Sequence, residues 1–261
     1  EQLGIPIDNV LICGTHTHSA TSALGKDARL LNQEMDEYQR FVARRIVDGV
    51  RRAHNQLRPA QFAMGSVSIP EHVFNRRWHM KPGSVPPNPF GGIDKVKMNP
   101  PAGSADLLEP AGPTDPDIPI LAFKGTDGKW IGVFTAYSLH YVGGVGNGDI
   151  SADYFGMYCN ALAKRLKADD LVVLMANGTS GDINNINFKQ PRGKRDPYQQ
   201  MRFVADDVAD KVYRGLGEIT FRGDVKLAAR YRELPVGTRR PDAKLLEWAK
   251  VKVAEPKVKG G

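Results

Sequence analysis

Two histidines separated by one residue are the first side chains in this sequence that can do chemistry together. His16 and His18 lie in the segment 13–20 (CGTHTHSA), directly after the apolar run 10–12. We expect that run to be a short buried strand, and residues i and i+2 of a strand point to the same side. Both imidazoles would then face one space, as metal ligands or catalytic groups, although such a pair is about as often an ordinary polar edge.

A third histidine is predicted at another strand end. The segments 118–123 and 130–137 alternate between apolar and polar residues around the turn Asp127-Gly128, which predicts a β-hairpin. Its second strand leads to His140 and then to the glycine-rich loop 143–149. That loop lacks the G-x-G-x-x-G spacing in a strand–loop–helix setting, so we reject a dinucleotide site. Its glycines instead let the backbone approach the site closely.

The apolar run 171–176 is the clearest buried strand in the sequence, and a polar loop follows it. This loop, 177–185, reads NGTSGDINN. In α/β proteins the carboxyl ends of buried strands are where functional groups collect. The placement therefore favours a functional loop over a simple turn.

The remaining pattern indicates an α/β protein with a single domain. Apolar residues at steps of three or four predict four helices, at 35–53, 153–167, 197–216 and 241–253. We expect the first to pack its apolar stripe on a sheet, and alternation predicts further strands at 62–69 and 224–234. The segment 81–119 is rich in proline and glycine, which predicts a long irregular excursion that is either a lid over the site or an insertion with no role.

Composition limits the partners of the chain. Its 36 basic and 29 acidic residues give a net charge of +7 and a pI near 9.4. The charge is dispersed, and the one compact cluster, 192–195 (RGKR), is too short to predict nucleic-acid binding. No run of 18 apolar residues exists, so no membrane span is expected. Two cysteines, Cys13 and Cys159, cannot form a disulfide framework and leave the redox compartment open.

Three of these features, in this order, carry a resemblance to a known family. They are Thr-His-Thr-His-Ser at 15–19, His140 followed by Ser-Ala-Asp at 151–153, and the loop 177–185, with the pair Asn75-Arg76 in support. The chain resembles the neutral, non-lysosomal ceramidases over nearly its whole length. The resemblance implies layered mixed β-sheets flanked by helices. It also implies that 1–261 is the central part of a longer catalytic domain, truncated at both ends.

The resemblance also implies a chemistry and a set of residues. The family cleaves the amide bond of ceramides with one Zn²⁺ held by two histidines, a glutamate and a tyrosine. His16 and His140 would be metal ligands here, and the glutamate and tyrosine would lie beyond Gly261. His18 would act in catalysis, Arg76 would contact the reacting group, and Asp153 would support the ligands from behind.

One departure from the family lies in the loop after the buried strand. Active members carry Gly-Asp-x-Ser-Pro-Asn, whose serine is taken as the nucleophile, whereas this chain has Gly181-Asp182-Ile183-Asn184-Asn185. An amide cannot form an acyl-enzyme, but the NH₂ group of Asn184 can help to stabilise an oxyanion. We therefore predict Asp182 and Asn184 as further catalytic residues of a zinc-dependent hydrolase. It would use metal-activated water on an amide or ester, such as a lipid amide like ceramide.

Two alternatives stay open at this point. A catalytically degenerate member would bind a lipid or glycan, or serve as a structural module, without turnover. An amidohydrolase-type (β/α)₈ barrel also begins with His-x-His at a strand end, but it needs further histidines and a late aspartate on successive strands, and His140 is the one suitably placed histidine after His18. From the family we further expect a secreted or periplasmic location, with a membrane-surface contact left open.

Overall fold

The computed structural model describes residues 3–25, 34–238 and 240–255. The chain divides into two compact units. One is Ile12–Lys226, and the other combines Glu1–Leu11 with Leu227–Gly261. All the residues predicted to do chemistry belong to the first unit.

The described residues of the first unit form three α-helices and nine strands, seven of which follow one another between the first two helices. Its elements are α1 (Glu37–Asn55), β1 (Ala60–Ser68), β2 (Phe74–Asn75), β3 (Arg77–Met80), β4 (Val96–Met98), β5 (Leu107–Pro110), β6 (Asp117–Gly125), β7 (Trp130–Tyr137), α2 (Asp153–Leu166), β8 (Val172–Asn177), β9 (Ile183–Asn184) and α3 (Gln199–Leu216). This mixed α/β content confirms the predicted fold class. The predicted hairpin, the strand 171–176 and the three helices of this unit are all present.

A four-stranded sheet with the order β1-β6-β7-β8 is the centre of the unit. Its first three strands pair antiparallel, whereas β8 runs parallel to β7 because α2 carries the chain back across the sheet. An open sheet of this kind, with two smaller sheets beside it, is not a (β/α)₈ barrel. The barrel alternative is therefore wrong for the described residues.

The core lies between one face of this sheet and the helices α2 and α3. Alternate residues of β6 and β7, such as Ile120 and Val133, are buried in it and belong to the same cluster as Val204 and Val208 of α3. At Gly215 an added Cβ would lie 2.4 Å from the Cγ1 atom of Val67. Helix α3 can therefore approach β1 this closely only with glycine at that position.

The other face of the sheet is exposed. Met64, Phe134 and Leu174 stand on it with much of their surface in solvent. Helix α1 exists as predicted and starts with a capping box at Asp36, but the prediction that its apolar stripe packs on the sheet is wrong. None of its side chains is buried, and only its last turn and the linker after it border the cleft beside Phe134.

Two predicted strands are absent. The segment 10–12 is exposed and lies in no strand, and 224–234 is likewise exposed and outside any strand. An apolar run suggested the first and alternation suggested the second, but neither pairs with a strand in the described part of the chain. By contrast, the irregular segment 81–119 contains β4 and β5, which pair with β3 in a small sheet.

The second unit contains a short 3-10 helix, Ile7–Asn9, and a helix α4, Ala243–Ala254, that confirms the predicted helix near 241–253. The side chain of Asp242 caps α4 by accepting a hydrogen bond from the amide of Leu245 at 2.8 Å. Across both units, none of the described helices combines the length and the apolarity needed to cross a bilayer.

Candidate metal centre

The parallel strands β7 and β8 end side by side, and the candidate site begins there. Tyr137 is paired with Asn177, and the amide of Gly178 donates to the carbonyl of Tyr137 at 2.8 Å. A Cβ at Gly178 would lie 3.2 Å from the backbone of that neighbouring strand, so glycine permits this close approach. The loops that follow the two strands therefore leave the sheet together.

His140 is held rigidly between these loops. It is 6% exposed, and its Nδ1–H group donates to the carbonyl of Ser180 at 2.8 Å. This bond fixes the tautomer in which Nε2 carries a free lone pair. Desolvation by burial lowers the pKa of His140, outweighing the opposing effect of the Ser180 bond, and the charge of Arg76 lowers it further. At neutral pH the imidazole is thus uncharged and able to bind a cation.

His16 and His18 reach the same point from an irregular loop and not from a strand end. The Nε2 atom of His16 lies 2.8 Å from that of His140 and 3.0 Å from that of His18. His16 adopts a φ of 57°, a left-handed conformation that is costly for a residue other than glycine. The ring of His18 stacks on Tyr141 at 3.8 Å between centroids.

The electrostatics of His18 match those of His140. Partial desolvation and the neighbouring His16 lower the pKa of His18, while the carboxylate of Asp153 acts in the opposite direction. Metal ions bind neutral imidazoles, so a lowered pKa favours ligation over protonation.

The three-histidine cluster of His16, His18 and His140 fits a metal ion better than it fits hydrogen bonding alone. One proton on Nε2 of His16 can bridge to only one of its two neighbours, whereas a cation satisfies all three lone pairs at once. Zinc binds imidazole nitrogens at about 2.0 to 2.1 Å, which separates them by about 3.4 Å in a tetrahedron. The ligand atoms of the cluster all lie within 4.8 Å of one another, and the two closest pairs would move apart by about half an ångström.

Asp153 lies behind the cluster and contacts backbone, not imidazole. Its carboxylate accepts hydrogen bonds from the amides of Val142, Gly143 and Tyr154 at 2.7 to 2.9 Å. It is 4% exposed and has a φ of 55° at the start of α2. Asp153 therefore holds the loop that follows His140, and its negative charge also reaches His18.

Arg76 is a second predicted site residue whose charge reaches the cluster. It lowers the pKa of both His18 and His140, and its buried Nε atom has no hydrogen-bond partner among the described residues. The pairing of β2 with β9 positions it, and its own amide donates to the carbonyl of Asp182 at 2.7 Å. A guanidinium placed in this way can contact a carbonyl or carboxylate oxygen near the metal ligands.

The other two predicted catalytic residues make their contacts elsewhere. The carboxylate of Asp182 is exposed and lies 3.8 Å from the guanidinium of Arg77. The side-chain amide of Asn184 donates to the side chain of Asn99 at 3.4 Å. No contact in the described chain joins either side chain to the three histidines, so their catalytic roles stay predictions.

Sequence reasoning missed three groups that shape the cluster. The carbonyl of Ser180 orients His140, Tyr141 stacks on His18, and the side chain of Asn177 donates to the carbonyl of Thr15 at 3.0 Å. A backbone carbonyl has no signature in a sequence. Asn177 and Tyr141 did stand beside predicted strand ends, but nothing in the sequence singled them out.

This chain resembles known proteins in its fold. It matches no profile of a protein family and no curated protein sequence. A ceramidase solved in complex with C2 shares 20% identity over 78% of this chain and 30% of its own, with a TM-score of 0.51. The fold is ceramidase-like. The neutral ceramidase from Pseudomonas aeruginosa also aligns, with 20% identity over 67% of this chain and 24% of its own and a TM-score of 0.42.

This chain spans less than a third of the length of both of these ceramidases. At 20% identity the ceramidase-like fold is what the likeness establishes.

Proposed function

We propose that this chain provides the metal-binding part of a zinc-dependent hydrolase that cleaves an amide or ester bond, with a lipid amide such as ceramide as the substrate class. The observation that supports the proposal most strongly is the convergence of three Nε2 atoms beside the carboxyl ends of β7 and β8, where that of His16 lies 2.8 Å from that of His140 and 3.0 Å from that of His18. The ceramidase-like fold is consistent with it, and the possible substrates follow from that likeness.

In this proposal His16, His18 and His140 hold the ion. The sequence predicted a catalytic role for His18, and here it is also a metal ligand. Its Nε2 atom lies 3.0 Å from that of His16, which is close enough for both nitrogens to bind one ion. When bound, zinc supplies Lewis acidity, which polarises a carbonyl and lowers the pKa of a water. The Ser180 carbonyl keeps His140 in the tautomer that can bind.

The other residues act on the substrate and on the loops. Arg76 contributes a positive charge beside the histidines that can attract the carbonyl oxygen as negative charge develops on it. Asp153 keeps His140 in place through the amides of Val142 and Gly143. We keep Asp182 and Asn184 as predicted catalytic residues, to be tested by substitution.

Metal analysis of the purified protein tests this proposal. We expect about one zinc per chain, and we expect the zinc to be lost in His16→Ala and in His140→Ala. His54→Ala is the matched control, because His54 is exposed on α1. Retention of zinc in both cluster variants, or no stoichiometric zinc in the unmodified protein, would contradict the proposal.

Hydrolysis of a fluorogenic ceramide tests the proposed substrate. We expect turnover in the zinc-loaded protein and none after the zinc has been removed. If the protein binds zinc and cleaves a simpler amide or ester but not ceramide, the result would support hydrolase activity and contradict a lipid amide as the substrate.

A second candidate function is binding without turnover. The observation in its favour is Asn184, which replaces the family serine and turns its amide towards Asn99. This candidate expects saturable binding of a ceramide to the zinc-loaded protein with no hydrolysis of any amide or ester. A secreted or periplasmic location and contact with a membrane surface remain part of the proposal in either case.

A further inference from the structure

The loop that carries His16 and His18 has little of its own to hold it in place. Residues 13–16 are exposed and belong to no helix or strand. The left-handed backbone of His16 adds a cost on the order of 1 to 3 kcal/mol. The conformation of this loop therefore depends on contacts with other segments, which are the ring contacts of His16 and His18 and one hydrogen bond at each end.

One hydrogen bond holds the backbone on each side of the histidine pair, and in both cases a carbonyl of the loop accepts it. After the pair, the amide of Ser151 donates to the carbonyl of Ser19 at 2.9 Å. Before the pair, the side-chain NH₂ of Asn177 donates to the carbonyl of Thr15 at 3.0 Å. The side chain of Asn177 makes the second hydrogen bond, so a substitution can remove this bond without altering the backbone.

The orientation of the Asn177 amide is fixed by its surroundings. Rotating the amide by 180° would place its oxygen against the carbonyl oxygen of Thr15, which is repulsive. In the observed orientation the Oδ1 atom is buried and has no partner in the described part of the chain. An unpaired buried oxygen is unfavourable, so the donor side of this amide is the part that stabilises the arrangement.

Asn177 also stands at the start of the segment that fixes His140. It is the last residue of β8, and three residues later the carbonyl of Ser180 holds Nδ1 of His140. The segment 177–180 thus contacts both loops that carry the three histidines. It reaches His140 through a carbonyl, and it reaches the loop of His16 and His18 through an amide.

We infer that Asn177 is a positioning residue for the candidate metal centre, whose side chain sets His16 and His18 relative to His140. The inference rests on the proposed function, because it concerns the same three ligands. Without the Asn177 donor, the exposed Thr15 carbonyl turns to water and the loop samples other conformations. Metal binding then has to order the loop, and this cost weakens the affinity.

The test is the zinc affinity of Asn177→Ala and of Asn177→Leu, measured by competition with a chromophoric chelator. Leucine is close to asparagine in shape but has no donor. We expect both variants to bind zinc 10- to 100-fold more weakly, the range seen when groups that orient metal ligands are removed. Asn160→Ala is the matched control, because Asn160 is an exposed asparagine on α2, and it should bind like the unmodified protein.

The absorption spectrum of the cobalt-loaded protein gives a second readout. We expect the intense visible bands of a four-coordinate site in the unmodified protein and weaker bands in the Asn177 variants, as water replaces a displaced imidazole. A residue needed only for folding would change the melting temperature of the metal-free protein and leave this spectrum unaltered.

The outcomes separate this inference from the proposed function. If the unmodified protein binds no metal, both fail. If it binds zinc and the two Asn177 variants bind equally tightly, the proposed function survives and the inference is overturned. If both variants fail to fold, the inference is also overturned, because Asn177 would then serve the fold and not the ligands.

Discussion

Three imidazoles from two loops meet although His16 and His140 are 124 positions apart in sequence. The residues themselves could be predicted, since His-x-His and a histidine after a predicted strand are both visible patterns. Their relative placement could not, because it depends on the Ser180 carbonyl and on the side chain of Asn177. Neither group has a sequence signature that distinguishes it from its neighbours.

Asp153 gives a prediction at the scale of one residue. Asp153→Ala leaves the amides of Val142, Gly143 and Tyr154 without an acceptor. It also forces alanine into the left-handed region. We expect the free energy of unfolding to fall by about 2 to 4 kcal/mol in urea denaturation, because unpaired buried donors are costly.

Asp153→Asn should cost less than Asp153→Ala, since asparagine tolerates the left-handed region and keeps one acceptor oxygen. Asp169→Ala is the control, because Asp169 is exposed in the turn before β8, and it should change stability by less than about 0.5 kcal/mol. Equal stability of Asp153→Ala and Asp169→Ala would show that the carboxylate does not hold the loop.

Among the elements, helix α3 shows how close packing on the sheet depends on one small residue. In Gly215→Ala the new methyl group would lie 2.4 Å from Val67, whose branched side chain cannot easily move. We expect a loss of about 1 to 3 kcal/mol from overpacking, measured by urea denaturation.

Gly49→Ala in α1 is the matched control for Gly215→Ala. An added Cβ at Gly49 has nothing within 4 Å, and alanine favours a helix over glycine by about 1 kcal/mol. This variant should be as stable as the unmodified protein or more so. A stabilised Gly215→Ala would contradict the packing of α3 on β1.

Acid should weaken the attachment of α3 to the short 3-10 helix Pro70–His72. Buried His72 contacts Asp207 of α3 at 2.7 Å, and Lys211 bridges Asp207 and Glu71 at 3.0 Å. Desolvation opposes ionisation of Asp207, but hydrogen bonds from Lys211 and His72 outweigh it, so its pKa is lowered from 3.8. The stabilisation is therefore present above the unfolded pKa and is lost as the pH falls through the lower folded value.

Asp207→Asn should lower the free energy of unfolding by about 1 to 2 kcal/mol at pH 7. The difference in free energy of unfolding between Asp207→Asn and the unmodified protein should shrink as the pH falls below 3.8, the unperturbed pKa of the Asp207 carboxyl group. Asp210→Asn provides the comparison, because Asp210 pairs with an exposed Arg214 and such pairs contribute about 0 to 1 kcal/mol. A difference for Asp207→Asn that is independent of pH would argue against a charged contact.

The elements also show where pattern reasoning succeeds and fails. The hairpin of β6 and β7 and the strand β8 were predictable, because alternation, a turn signal and burial agree there. The segment 10–12 was not, because an apolar run becomes a strand only beside another strand. The length and cap of α1 were predictable, but its exposure was not, since a helical period does not tell what covers the apolar side.

For the molecule as a whole, every candidate site residue lies in the unit Ile12–Lys226. A chain trimmed to this unit should unfold cooperatively and bind as much zinc as the full chain. The buried core and the hydrogen bonds that hold the loops of the three histidines both belong to this unit. Denaturation monitored by circular dichroism and metal analysis of the trimmed protein test this. Loss of cooperative unfolding or of zinc in the trimmed chain would contradict the division.

X-ray absorption at the zinc edge of the metal-loaded protein tests whether His16, His18 and His140 bind one ion together. We predict three imidazole nitrogens at about 2.0 to 2.1 Å from the zinc, and no zinc signal in His16→Ala or His140→Ala, which lose the ion. A spectrum with at most one imidazole, or one that these substitutions leave unchanged, would show that the metal is bound elsewhere and would contradict the proposed site.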